Sequence, residues 1–69
     1  MKGYHIVRDA RREYRWHFKA SNGETISVSS EGYVNKSDCR RSIQIMQTEG
    51  GPSAPVYDDT GEQQSAAYR

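Results

Sequence analysis

Two histidines, a group of five basic residues (Arg8, Arg11, Arg12, Arg15 and Lys19), one cysteine and a Ser-Ser-Glu run are the side chains of this 69-residue chain that could do chemistry. His5 and His17 could share a metal if two strands set them side by side, because cross-strand Cβ atoms lie about 4.5–5.5 Å apart. The next residue across that row is Ser27, and no carboxylate falls in it. A catalytic zinc takes three protein ligands. The pair therefore reads as two solvated imidazoles, each disfavouring the other's protonation. Arg11, Arg12, Arg15 and Lys19 form a candidate phosphate-contacting patch for nucleic acid. Tyr14 and Trp16 could then stack bases. However, along the strand they alternate with Arg15, His17 and Lys19, and the core needs their rings.

Cys39 falls on an apolar helical stripe with no histidine at local spacing to activate it, so it reads as a small core residue and not a nucleophile. Ser29, Ser30 and Glu31 read as a turn. There is no Gly-rich phosphate loop and no Cys/His set at zinc spacing. No catalytic, cofactor or metal site is expected, and the chain does not read as an enzyme.

These side chains depend on a few elements to place them. In residues 4–9, Tyr4 and Ile6 take one side while His5 and Val7 take the other. In residues 13–20, Tyr14, Trp16 and Phe18 oppose Arg15, His17 and Lys19. This period of two marks strands with one buried face. With Ala10-Arg11-Arg12 as the loop, Asp9 faces Glu13, Arg8 faces Tyr14, Ile6 faces Trp16 and Tyr4 faces Phe18. A one-residue slip would scatter the apolar residues over both faces, so the pattern selects this register. Ser21-Asn22-Gly23 is the second turn. As a three-residue loop with Gly23 left-handed it sets Phe18 opposite Ile26 and Trp16 opposite Val28, and core formation favours it over a two-residue loop. The third strand covers residues 24–29.

Asn35 reads as a helix N-cap, with Asp38 three residues on as a short capping box. Cys39, Ile43 and Met46 make one helical stripe, and Ile45 lies off it as a candidate for a dimer seam. The helix covers residues 36–48 and ends at Gly50-Gly51-Pro52. Beyond it the composition turns polar and loses periodicity, so 1–49 is read as the domain and 50–69 as a disordered tail. The domain carries nine Lys/Arg against six Asp/Glu, a balance of +3, and the tail one Arg against three acids, a balance of −2.

Domains this short bury only about 60% of the surface of the unfolded chain and need support from disulfides, metals or a partner chain. One cysteine cannot form an intramolecular disulfide, which leaves self-association. The N-terminus lacks the apolar run of a signal peptide and no segment could span a membrane, so a cytoplasmic location is expected.

The order of Tyr4-His5-Ile6, Glu13-Tyr14-Arg15-Trp16, Lys19-Ala20-Ser21-Asn22-Gly23-Glu24, Ser29-Ser30-Glu31-Gly32-Tyr33 and then Lys36, Cys39 and Ile43 resembles the YegP-like family of small proteins of unknown function. The resemblance covers residues 3–48 and leaves the tail as an addition. It implies an α+β fold, a β-β-β-α unit with a three-stranded antiparallel sheet packed by one helix. It also implies that a single copy dimerises, joining two sheets and exchanging helices. It supplies no catalytic residues. The core or seam would then be Tyr4, Ile6, Trp16, Phe18, Ile26, Val28, Cys39, Ile43, Ile45 and Met46. The expected function is that of a non-enzymatic homodimeric module that binds another protein, with a nucleic-acid-binding accessory protein as the alternative.

Overall fold

Rings and charges alternate along β2 (Tyr14–Lys19), and in the computed structural model, which describes residues 2–62, the rings face the helix and the charges face out. β1 (Gly3–Arg8) pairs antiparallel with it in the expected register: Tyr4 opposite Phe18, His5 opposite His17, Ile6 opposite Trp16, Arg8 opposite Tyr14. The hairpin between them closes through Asp9, whose backbone accepts from Arg12 and whose side chain accepts from the backbone of Arg11 and Glu13. α1 (Lys36–Thr48) packs on β1 and β2. Tyr4, Ile6, Tyr14, Trp16, Phe18, Cys39, Ile43 and Ala54 form the buried core, with Tyr33, Met46 and Val56 packed against it. Tyr4 meets Trp16 edge to face, ring centroids 5.4 Å apart, the arrangement that aromatic quadrupoles favour.

The fold is α+β, but the sheet is mixed and has four strands. β3 (Thr25–Val28) lies at one edge and β4 (Val56–Asp58) at the other, in the order β3-β2-β1-β4. β4 runs parallel to β1, with Tyr4 opposite Val56 and His5 opposite Tyr57. The stretch after the helix was expected to be unpacked. Residues 56–58 of it instead pair along the edge of β1, where Gly3 leaves room for the approaching chain. A Cβ on Gly3 would come within 2.5 Å of the Pro55 carbonyl oxygen and 2.9 Å of the Tyr57 ring. Residues 63–69 of the expected tail lie outside the described residues.

β3 departs from the expected pairing. The three-residue loop forms, with Gly23 at φ 90° and Ala20 bonded to Glu24. The ladder then shifts between Phe18 and Lys19, so that Phe18 faces Ser27 and His17 faces Val28. One extra residue in a strand leaves it unpaired and changes which residues after it face the core. Ile26 and Val28, expected beneath Phe18 and Trp16, are instead 62% and 51% exposed, and Ser29 takes the buried place beside Trp16. The helix has the expected bounds, yet Asn35 makes no side-chain cap bond. It reaches Asp38 at 3.5 Å instead, so the capping box does not close.

Candidate functional site

Three surfaces gather the side chains that could act. The first is the outer edge. Every residue of β3 is exposed, and α1 does not contact it. Between α1 and the β3 side of the sheet lies a cleft of about 290 Å³ whose walls include Trp16, Ser29, Tyr33, Ser42, Ile45 and Met46. The Trp16 indole donates to the Ser42 hydroxyl at 3.0 Å, which donates in turn to the Cys39 carbonyl at 2.7 Å. The indole N–H is thereby satisfied and the ring remains as an apolar wall. Ile45, 53% exposed, stands on the helix side of this opening. Cys39 itself is fully buried, and burial pushes its thiol up to about 11, which removes it as a nucleophile at neutral pH.

The second surface is the sheet face away from the helix. Val28, His17, His5 and Tyr57 form one row across all four strands. The Tyr57 ring stacks on His5 at 4.9 Å, and Asp59 lies 2.7 Å from His5 Nδ1. His5 is therefore buried and paired, not a solvated imidazole, and a carboxylate reaches the row from residue 59. Burial lowers the pKa of His17, and the charges of Lys19, Arg15 and His5 lower it further. Among the described residues no three His, Cys, Asp or Glu side chains converge as a metal site.

Arg11 and Arg12 are exposed at the tip of the first hairpin, while Arg15 is drawn back by Asp9 at 2.8 Å. Lys19, half-buried, lies on the same face. The patch is thus split into a free tip and an engaged flank. Arg12 holds φ 67°, a left-handed conformation that side chains other than Gly and Asn resist.

The third surface escaped the reading by composition. All three acids between residues 50 and 62 find basic side chains: His5 for Asp59, Lys36 for Asp58 and Arg8 for Glu62. Asp58 lies 2.7 Å from Lys36 Nζ and 3.6 Å from Arg40. Glu62 reaches Arg8 at 2.9 Å, Lys36 at 3.1 Å and the Tyr14 hydroxyl at 2.9 Å. Burial works to raise the pKa of Asp58, but hydrogen bonds from Lys36 and Thr60 prevail and hold it at about 2. The only advance sign of this corner was the opposite charge balance of the two parts of the chain.

A family model described as a domain of unknown function (DUF1508) matches residues 9–58. The chain belongs to this family. The match to DUF1508 thus takes in β2, β3, α1 and β4 and begins directly after β1. Curated relatives agree. A UPF0339 protein of Neisseria meningitidis serogroup B is 38% identical over 45 residues, 65% of this chain and 79% of that protein. The UPF0339 protein Atu0232 of Agrobacterium fabrum is 48% identical over 44 residues, 64% of this chain and 69% of the relative. A second from the same organism, Atu5359, is 37% identical over 60 residues, 87% of this chain and 94% of the relative. A 60-residue match in a 69-residue chain takes in residues 10–60 wherever it starts, so similarity runs past the helix and beyond the resemblance over residues 3–48. No solved structure shows a significant match. Among the described residues no helix is long and apolar enough to cross a membrane.

Proposed function

We propose that the chain is a non-enzymatic homodimeric module that pairs through β3 and presents the joined sheet to a protein partner. The observation that carries this reading is the exposure of Ile26 and Val28 on a sheet edge that no other element covers, with the cleft walled by Trp16 and Ile45 opening on the helix side of the sheet. An uncovered edge is a template for pairing with another chain. α1 packs on β1 and β2 and leaves β3 bare, so a helix supplied by a second copy has a place to lie. Exchange of helices is the form of the dimer that this vacancy favours. Binding of a second copy to the folded state also adds the stability that a core of eight buried residues lacks. The module belongs in this reading to the cytoplasm, where a lone thiol stays reduced.

Sedimentation equilibrium of the full chain tests the reading. A dimer is expected, with Val28→Asp and Ile45→Asp giving folded monomers, while Ile43→Asp, in the core, loses fold and dimer together. A wild-type chain that sediments as a monomer across the accessible concentration range rules the reading out.

Strain at Arg12 favours a second reading, a nucleic-acid-binding accessory protein. The equivalent turn position of the second hairpin is Gly23, and retaining arginine there costs backbone energy. Tyr57 also brings a ring to the charged side of the sheet, where base stacking needs one. Titration of a labelled single-stranded oligonucleotide is expected to show binding that weakens with salt and disappears in Arg11→Glu/Arg12→Glu. Absence of binding at low salt removes this alternative.

A further inference from the structure

We infer that Arg8, Tyr14 and Lys36 form a binding site for a small oxyanion, a carboxylate or phosphate head, which the chain's own Glu62 occupies at rest. The three donors come from β1, β2 and the first turn of α1 and converge on one carboxylate. Glu62 Oε2 accepts from Arg8 at 2.9 Å, Oε1 accepts from Lys36 at 3.1 Å, and the Tyr14 hydroxyl lies 2.9 Å from both oxygens. Charge-assisted donors arranged around two oxygens suit carboxylate and phosphate alike.

The donors keep their places without Glu62. Lys36 is held by Asp58 at 2.7 Å and by the Thr60 hydroxyl at 3.2 Å. Arg8 also donates to the Arg12 carbonyl at 3.3 Å. Tyr14 is fixed by its two backbone bonds to Tyr33, and its ring lies 4.8 Å from the Arg8 guanidinium and 5.8 Å from Lys36 Nζ. Withdrawal of Glu62 therefore leaves a preformed pocket of donors. Among the described residues Arg8 pairs with no other carboxylate, so its charge is the one an incoming anion would neutralise.

The occupant is loosely tethered. Among the described residues the last backbone bond to the sheet is from the Asp59 amide to the Ile6 carbonyl. After it the chain turns through Thr60, whose hydroxyl accepts from the Glu62 backbone at 3.1 Å, and through Gly61 at φ 80°. A swing at Gly61 moves Glu62 without disturbing β4. The other charged groups at this corner are Asp58, which Lys36 and Arg40 already neutralise, and Arg40 itself. None of its residues lies on β3, so pairing at that edge leaves the site uncovered, while an exchange of α1 between copies would carry Lys36 with it.

An anion that competes with an internal occupant binds with its intrinsic affinity reduced by the fraction of time the site is open. The test is an NMR titration of the full chain with inorganic phosphate and, separately, with acetate, at constant pH and ionic strength. Saturable amide shifts at Arg8, Tyr14 and Lys36 are expected, with affinity about tenfold higher in Glu62→Ala than in the wild type if the site is open about a tenth of the time. The shifts should vanish in Arg8→Ala/Glu62→Ala. Stronger binding of phosphate assigns the site to phosphomonoesters, and stronger binding of acetate to carboxylate ends. Equal affinity in the wild type and Glu62→Ala overturns the inference, as does the lack of saturable shifts in folded Glu62→Ala. Should that variant unfold, Glu62→Gln carries the same comparison.

Discussion

Asp58 lies 2.7 Å from the Nζ of Lys36, which ties the last strand to the first turn of the helix across 22 residues of sequence. Both side chains are largely shielded, at 16% and 17% exposure. A shielded charge deprived of its partner is costly, so the tie holds β4 in place while both groups stay ionised.

That tie makes stability depend on acid. The folded-state pKa of Asp58 is lowered from an ordinary 3.8 to about 2. A carboxyl with a depressed pKa contributes its full stability above its unfolded pKa and loses it as pH falls through the folded one. The contribution is therefore complete above about pH 4 and gone below about pH 2, and after allowance for solvent screening it amounts to about 1 kcal/mol. Glu62 and Asp9 are lowered as well and act in the same direction, Glu62 through Tyr14 and Lys36, Asp9 through the Glu13 backbone and Arg15. Chemical denaturation between pH 5 and pH 2 is expected to show the loss, at about the pH values this linkage sets. Lys36→Met should flatten the curve in that window.

Close approach at Gly3 gives a second check on β4. Gly3 holds φ 151°, and an added Cβ would sit 2.5 Å from the Pro55 oxygen. Gly3→Ala must push the Pro55 backbone or the Tyr57 ring away. The bond from the Tyr4 amide to the Pro55 carbonyl, 2.9 Å long, should weaken with it. Hydrogen exchange is expected to quicken at Tyr4 and at residues 56–58 while β2 keeps its protection. Unchanged exchange at Tyr4 would show that β4 is not seated as described.

Much of this arrangement was legible in the sequence, and the parts that were not share a cause. The β1–β2 register followed from alternation alone, because rings at Tyr14, Trp16 and Phe18 leave no second choice. The helix bounds followed from Asn35, the Cys39–Ile43–Met46 stripe and the glycines after Glu49. The extra residue at Ile26 was hidden because an apolar side chain there suits a regular strand as well as a bulged one. β4 was hidden because it has three residues and no alternation. The ties from Asp58 in β4 to Lys36, and from Asp59 and Glu62 after it to His5 and Arg8, span 22, 54 and 54 residues, and no local pattern records contacts of that reach.

Trp16 should report the core directly. It is 6% exposed, edge-on to Tyr4, and its indole N–H is bonded to Ser42. Its emission is expected at short wavelength and resistant to iodide. Trp16→Ala should cost about 3–5 kcal/mol in denaturant unfolding, the range for removing a large core aromatic. Ser42→Ala should cost about 1 kcal/mol, as it leaves that N–H without its acceptor.

Arg12 offers a gain instead of a loss. At φ 67° it pays for a left-handed turn that glycine adopts freely. Arg12→Gly is expected to raise stability by up to about 1 kcal/mol, near the lower end of the handedness penalty, since glycine also loosens the unfolded chain. Thermal unfolding of the two proteins measures it. If the same change also weakens oligonucleotide binding, the strain is retained for contact and not for folding.

Ile26 and Val28 separate the two roles an apolar residue can have in this sheet. Phe18, one strand away, is 6% exposed and its truncation removes packing against Tyr4, whose ring centroid lies 5.0 Å away. Ile26 and Val28 already face water, so Ile26→Ser and Val28→Ser remove little that the folded single chain uses. Exposed substitutions of this kind change stability by about 0.5 kcal/mol or less. At low protein concentration the serine variants should therefore unfold with the wild-type midpoint, whereas Phe18→Ala should unfold far earlier. At high concentration the wild type gains stability from association and the serine variants do not, because mass action stabilises only the chain that pairs. A concentration-dependent midpoint in the wild type that persists unchanged in Val28→Ser would place the seam somewhere other than β3.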